Sequence, residues 1–163
     1  MEPDANYQEI AAPIMALDLG RKRVGVAVSD GLRISVRRLD PLKRSNWKRL
    51  LSDVTTLTRR FDAQTLVIGL PLSLDGTTGE AALEIRHTAL NFARSLSIPV
   101  FLQDERLTSV EAEDNLRSEG FSSKEIMDLV DSESAAIILR DFISGGQDRL
   151  PVSQSSQEVE GNR

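Results

Sequence analysis

Apolar residues along this chain fall into two rhythms. Short continuous runs mark buried strands, and runs spaced by three and four mark helices. Ile14-Met15-Ala16-Leu17-Asp18-Leu19, closed by Gly20, reads as a strand buried on both faces. Val24 to Ser29 follows with β-branched residues at alternate positions, and Ile34 to Leu39 supplies a third strand after the hairpin signal Asp30-Gly31. Asp40-Pro41 is expected to end that meander. A helix is predicted from near Asn46, with Trp47, Leu50, Leu51, Val54 and Leu57 on one face. Thr65 to Leu70 is a buried strand stopped by Pro71, and a helix is expected over 80–96. Residues 99–103 form the fifth strand. Helices over about 109–118 and 121–143 complete the order β-β-β-α-β-α-β-α-α. Ser122 and Glu125 have capping-box spacing, and Ser132 could restart the last helix after Asp131.

This order predicts an α/β domain with a mixed five-stranded sheet: an antiparallel three-stranded meander, then two parallel strands added through helical crossovers. Residues 1–12 are expected to be a flexible leader, 13–144 a single domain, and 145–163 a disordered polar tail.

Three acids sit where acids are expensive. Asp18 interrupts the first apolar run, and an ionised carboxylate there is costly without a cation beside it. Asp104 and Glu105 follow the run 99–103, and either could be the second site acid or a strand-end surface charge. Asp131 shares a helical stripe with Ala135, Ile138 and Phe142, which turns it toward the sheet, although it could also cap a restarted helix. Carboxylate oxygens suit Mg²⁺ or Mn²⁺, and two such ions can activate water and stabilise the leaving oxygen of a phosphodiester.

Charge sharpens that reading. The chain of 163 residues carries −5 overall, yet residues 21–60 hold twelve of its twenty basic residues and three acids, a net +9 against −14 elsewhere. A basic region beside an acid cluster could draw a polyanion to metal ions. Lys22, Arg23 and Arg106 are candidate phosphate contacts, and Thr77 lies in an Asp75-to-Gly79 loop that could cradle phosphate at a helix start. His87, the only histidine, could help a leaving group depart but is expected to take a packing or boundary role in its helix, and Trp47 to belong to the core. Zero cysteines exclude a thiolate metal site and a cysteine nucleophile. With no apolar run near the length of a membrane span and no signal-peptide pattern, a cytoplasmic location is expected.

Four segments together resemble the YqgF family, also called RuvX-like, of the ribonuclease H-like superfamily. They are Ala16 to Asp30, Gly69-Leu70-Pro71-Leu72 with Asp75-Gly76-Thr77, Asp104-Glu105-Arg106-Leu107-Thr108-Ser109, and Asp131-Ser132 leading into Ser134-Ala135 and Ile138-Leu139. The resemblance implies a ribonuclease H-like fold and a nuclease of pre-16S rRNA acting in 5′-end maturation and ribosome assembly. It places the acidic site on Asp18, Glu105 and Asp131. Ser73-Leu74, Gln103 and Glu80 depart from the family pattern at positions that bear on loop shape and substrate contact, and the three acids themselves are unchanged. Two rivals share the features: a Holliday-junction resolvase acting on branched DNA, and a ribosome-assembly binding module without catalysis. The chain is expected to be a monomer or a homodimer, and the resolvase reading generally calls for a symmetric dimer. An actin-like kinase would need a second domain for which the chain has no room.

Overall fold

The computed structural model describes residues 10–71, 79–105, 108–145 and 149–152. Alternation within the buried runs dictates its layers. β1 (Ile14–Leu19) sends Met15, Leu17 and Leu19 to one face and Ile14 and Ala16 to the other. Antiparallel to it runs β2 (Arg23–Ser29), which pairs in turn with β3 (Val36–Lys43). On the other side of β1, β4 (Thr65–Leu70) and β5 (Val100–Asp104) are parallel to it.

The first core cluster collects the Met15 face with α1 (Trp47–Arg60) and α2 (Glu80–Ser95), through Leu50, Val54, Ala89 and Phe92. Trp47 joins that layer edge-on to Phe92, with ring centroids 4.8 Å apart, as its place in the core required. The opposite cluster packs Ile14, Ala16, Ala27 and Val67 under α4 (Ser123–Ser144), through Ala135, Ile138 and Phe142. α3 (Thr108–Ser118) packs against α4.

The sheet has six strands, not five, in the order β3-β2-β1-β4-β5-β6. The added strand, β6 (Arg149–Val152), is antiparallel to β5 and falls within the stretch 145–163 expected as tail. Arg149 explains how so short a segment is held. Its guanidinium donates to the Phe142 carbonyl at 2.9 and 2.6 Å and stacks on the Phe142 ring, closing the end of α4. Pro151 is tolerated because β6 is an edge strand.

Two other expectations are corrected. β3 runs through Asp40-Pro41 to Lys43 instead of ending there, because Asp40 and Pro41 together sit opposite Gly25 as a bulge in an edge strand. Asp131 is not a cap: α4 continues unbroken past it from its Ser122 capping box. Among the described residues, no helix is long and apolar enough to cross a membrane.

Candidate active site

Asp18 lies on the β1 face that carries Ile14 and Ala16, so its carboxylate points beneath α4. Gly25 is its partner across the β1–β2 ladder. A side chain at Gly25 would run into the Asp131 carbonyl and the Ser132 backbone, so the missing Cβ is what lets α4 rest on β2 there. Ser132 completes the joint. Fully buried, its hydroxyl donates to the Leu39 carbonyl at 2.6 Å and accepts from the Val26 N–H at 3.2 Å. Those are the backbone groups bordering the β3 bulge. Ser132→Ala is expected to leave both without that partner and to cost about 1–3 kcal/mol, read by urea denaturation. A change below about 0.5 kcal/mol, the range of an ordinary surface substitution, would mean the clip is dispensable.

Glu105 reaches the same place from β5. Its N–H donates to the Leu70 carbonyl at 3.1 Å, extending the parallel ladder one residue. Phe101, which packs under α4, sets the parity: Gln103 and Glu105 share its face, and Asp104 faces the other way. The choice between Asp104 and Glu105 therefore falls on Glu105. Gly69 makes room for it, since a Cβ there would stand 2.5 Å from both Glu105 Oε2 and Ile138 Cδ1.

Asp18 and Glu105 are hydrogen-bonded to each other, so one of them carries a proton. Burial raises Asp18 to about 6; the Glu105 hydrogen bond opposes that rise and the nearby Asp131 charge adds to it. Burial and then the charge of Asp18 push Glu105 to about 9, with the shared hydrogen bond and Asp104 adding to the rise. Asp131 is close enough to act on Asp18, and its Oδ1 lies 3.8 Å from where a Gly20 Cβ would be. Its Oδ2, however, is taken by Arg23 Nε at 3.2 Å. As the side chains stand, no three acids or histidines among the described residues are grouped so that they could hold a metal ion.

Of the remaining candidates, Lys22 is exposed at the turn below the site. Arg106 and Thr77 lie outside the described residues. His87 is exposed on α2, across the sheet from Asp18, in a groove of about 270 Å³ with Leu83, Leu90 and Leu150. It takes no part in the acid cluster.

Sequence reasoning missed the scaffold behind Asp131. Glu133 is 1% exposed and accepts from Arg38 at 2.7 Å, Arg140 at 3.3 Å and Asn115 at 3.3 Å. Arg38 also reaches Glu119, in the turn just after α3, at 3.1 Å. β3, α3 and α4 are thus tied together two residues from Asp131. Set between Ser132 and Ser134, Glu133 breaks no apolar run in the sequence, and its partners outside α4 come from two distant elements.

The family model described as "RuvX: Holliday junction resolvase" matches residues 12–145. A protein of Anaeromyxobacter sp. (strain Fw109-5), described as "Putative pre-16S rRNA nuclease", is 39% identical over 131 residues, 80% of this chain and 96% of that protein. A Gloeothece citriformis (strain PCC 7424) protein of the same description is 38% identical over 136 residues, 83% of this chain and 89% of its own. Among solved structures, "T. thermophilus RuvC in complex with Holliday junction substrate" superposes with a TM-score of 0.53 at 17% identity, covering 85% of this chain and 98% of that one. That likeness is one of fold: a mixed sheet flanked by helices. With more than three-quarters of its length matched by the family model and by relatives of this identity, the chain belongs to the RuvX family.

Proposed function

We propose that the protein is a divalent-metal-dependent nuclease that hydrolyses phosphodiesters of structured RNA, with the 5′ end of pre-16S rRNA as its substrate. The observation that carries this reading is the meeting of Asp18 and Glu105, delivered from two strands beneath one helix, with Asp131 beside them. The names of the relatives favour the rRNA substrate.

The donor set fits Mg²⁺ or Mn²⁺. Buried carboxylates that must otherwise share a proton are hard oxygen ligands whose mutual repulsion a cation removes. Asp18 and Glu105 would hold the ions, with Asp131 as the third ligand. When bound, the ions would lower the pKa of water and offset charge on the leaving oxygen. The chain itself supplies position. Gly25 and Ser132 fix the height of Asp131 over β2, and Gly69 admits Glu105 beside Asp18. Lys22 at the turn, with Arg106, would bind phosphate.

Cleavage of a 5′-extended pre-16S rRNA fragment tests this, using wild type and Asp18→Asn with Mg²⁺, Mn²⁺ or EDTA. Metal-dependent cutting lost in the mutant is expected. Cutting retained by Asp18→Asn in a nuclease-free preparation would remove the acids from the mechanism. A second reading, junction resolution, is favoured by the family's description. It uses the same acids and predicts cutting of a four-way DNA junction in place of the RNA.

A further inference from the structure

Asp131 is engaged by an arginine of β2. Arg23 Nε holds its Oδ2 at 3.2 Å, and Arg23 Nη2 donates to the Met127 carbonyl, one helical turn earlier, at 3.4 Å. One guanidinium thus grips α4 at two points, while its stem rises from β2, the strand on which the Asp131 backbone rests. A cation cannot use Asp131 Oδ2 without displacing this guanidinium or being repelled by it. Arg23 also stands opposite Lys43 in the β2–β3 ladder, and Lys43 is exposed. Like charges opposed in this way are unfavourable. A phosphate settling between them would relieve that repulsion and offer Arg23 a bidentate partner. The ion pair is weak enough to exchange. Its side chains are 42% and 24% exposed, and pairs so placed alter an equilibrium by only about two- to fivefold.

We infer that Arg23 is a gate on the third carboxylate: it keeps Asp131 from the metals until a phosphodiester draws it away, so full metal loading waits for substrate. This rests on the metal-dependent nuclease reading and makes Arg23 a positioning residue as well as a phosphate contact.

Mn²⁺ titration of the intact protein by calorimetry tests the gate without reference to turnover. Arg23→Gln should bind Mn²⁺ about three- to tenfold more tightly than wild type, from loss of the competing pair and of a nearby positive charge. Arg49→Gln, which breaks the exposed Arg49–Asp53 pair on α1, should leave affinity unchanged. Asp131→Asn should cost less than about twofold in the wild-type background and roughly tenfold in the Arg23→Gln background. An additive cycle, or equal tightening by Arg49→Gln, would overturn the gate. Adding a phosphorothioate RNA hairpin, which resists cutting, should tighten Mn²⁺ binding to wild type and have less effect on Arg23→Gln. Hairpin binding without that difference would overturn the coupling to substrate. A wild-type protein that binds no Mn²⁺, or whose binding survives Asp18→Asn, would instead sink the metal site itself. Melting curves confirm that each variant is folded.

Discussion

Replacing Glu105 by glutamine is expected to abolish cutting and, at the same time, to raise the melting temperature of the metal-free protein. Both effects come from one piece of electrostatics. In the folded chain, burial and the Asp18 charge lift Glu105 from its ordinary 4.5 to about 9. A carboxyl that holds its proton more tightly when folded stabilises the native state fully below about pH 4.5. That contribution is lost as pH rises toward 9. Near pH 8 the wild type therefore keeps a proton it would release on unfolding. Glutamine carries no such penalty and should stabilise by about 2 kcal/mol, or roughly 4–8 °C. Its slope of stability against pH between 5 and 9 should flatten. Mn²⁺ should act oppositely, stabilising wild type by mass action and leaving the variant nearly unmoved. Activity should fall by well over the roughly hundredfold typical of losing a group that merely supports a ligand. Melting curves from pH 5 to 9, with and without Mn²⁺, beside the cleavage assay, check every part. A variant no more stable than wild type at pH 8 would show that the two carboxyls are not in conflict.

Gly25→Val should be the most damaging single change in the sheet. Its new side chain would meet the carbonyl of Asp131 and the amide of Ser132, both backbone groups of a long helix. Backbone cannot step aside as a side-chain tip can, so overpacking here should cost about 3 kcal/mol or more. Any molecules that fold must lift α4 from β2, moving Asp131 and straining the Ser132 clip. Gly31→Ala is the matched control, because a Cβ there meets nothing within 4 Å. Gly69→Ala should lie between them in stability, since it meets the ends of Glu105 and Ile138, yet it should still impair cutting. Urea denaturation ranks the three. Gly25→Val within about 1 kcal/mol of wild type would contradict the close approach of α4.

Asp18 and Asp131 were legible because each breaks a strong local pattern, an apolar run in one case and a helical stripe in the other. Five strands and four helices follow from the same patterns. Asp104 and Glu105 could not be separated by pattern alone. At a strand's end, the face a residue takes depends on how far the ladder continues, and only the Glu105 N–H bond to Leu70 fixes that. β6 was missed because four residues interrupted by a proline are too short to show a strand period, and its anchor, Arg149 on Phe142, is a tertiary contact. The β3 extension was hidden by a proline that normally ends a strand. Gly25, Ser132, Glu133 and Arg23 draw their roles from partners far along the chain. A glycine that admits a helix reads locally like any glycine in a strand.

The Ser132 clip joins residues as far as 106 positions apart in the chain, Val26 and Ser132 among them. Order of synthesis then has a chemical consequence. A growing chain makes Asp18 early, but Glu105 waits for β5 and Asp131 for α4. Every product that stops short of the end of α4 thus lacks at least one acid, or part of the helix that seats it. The proposed nuclease would in this way be inert while its own chain is still being made on a ribosome, and become competent once α4 has closed over the sheet.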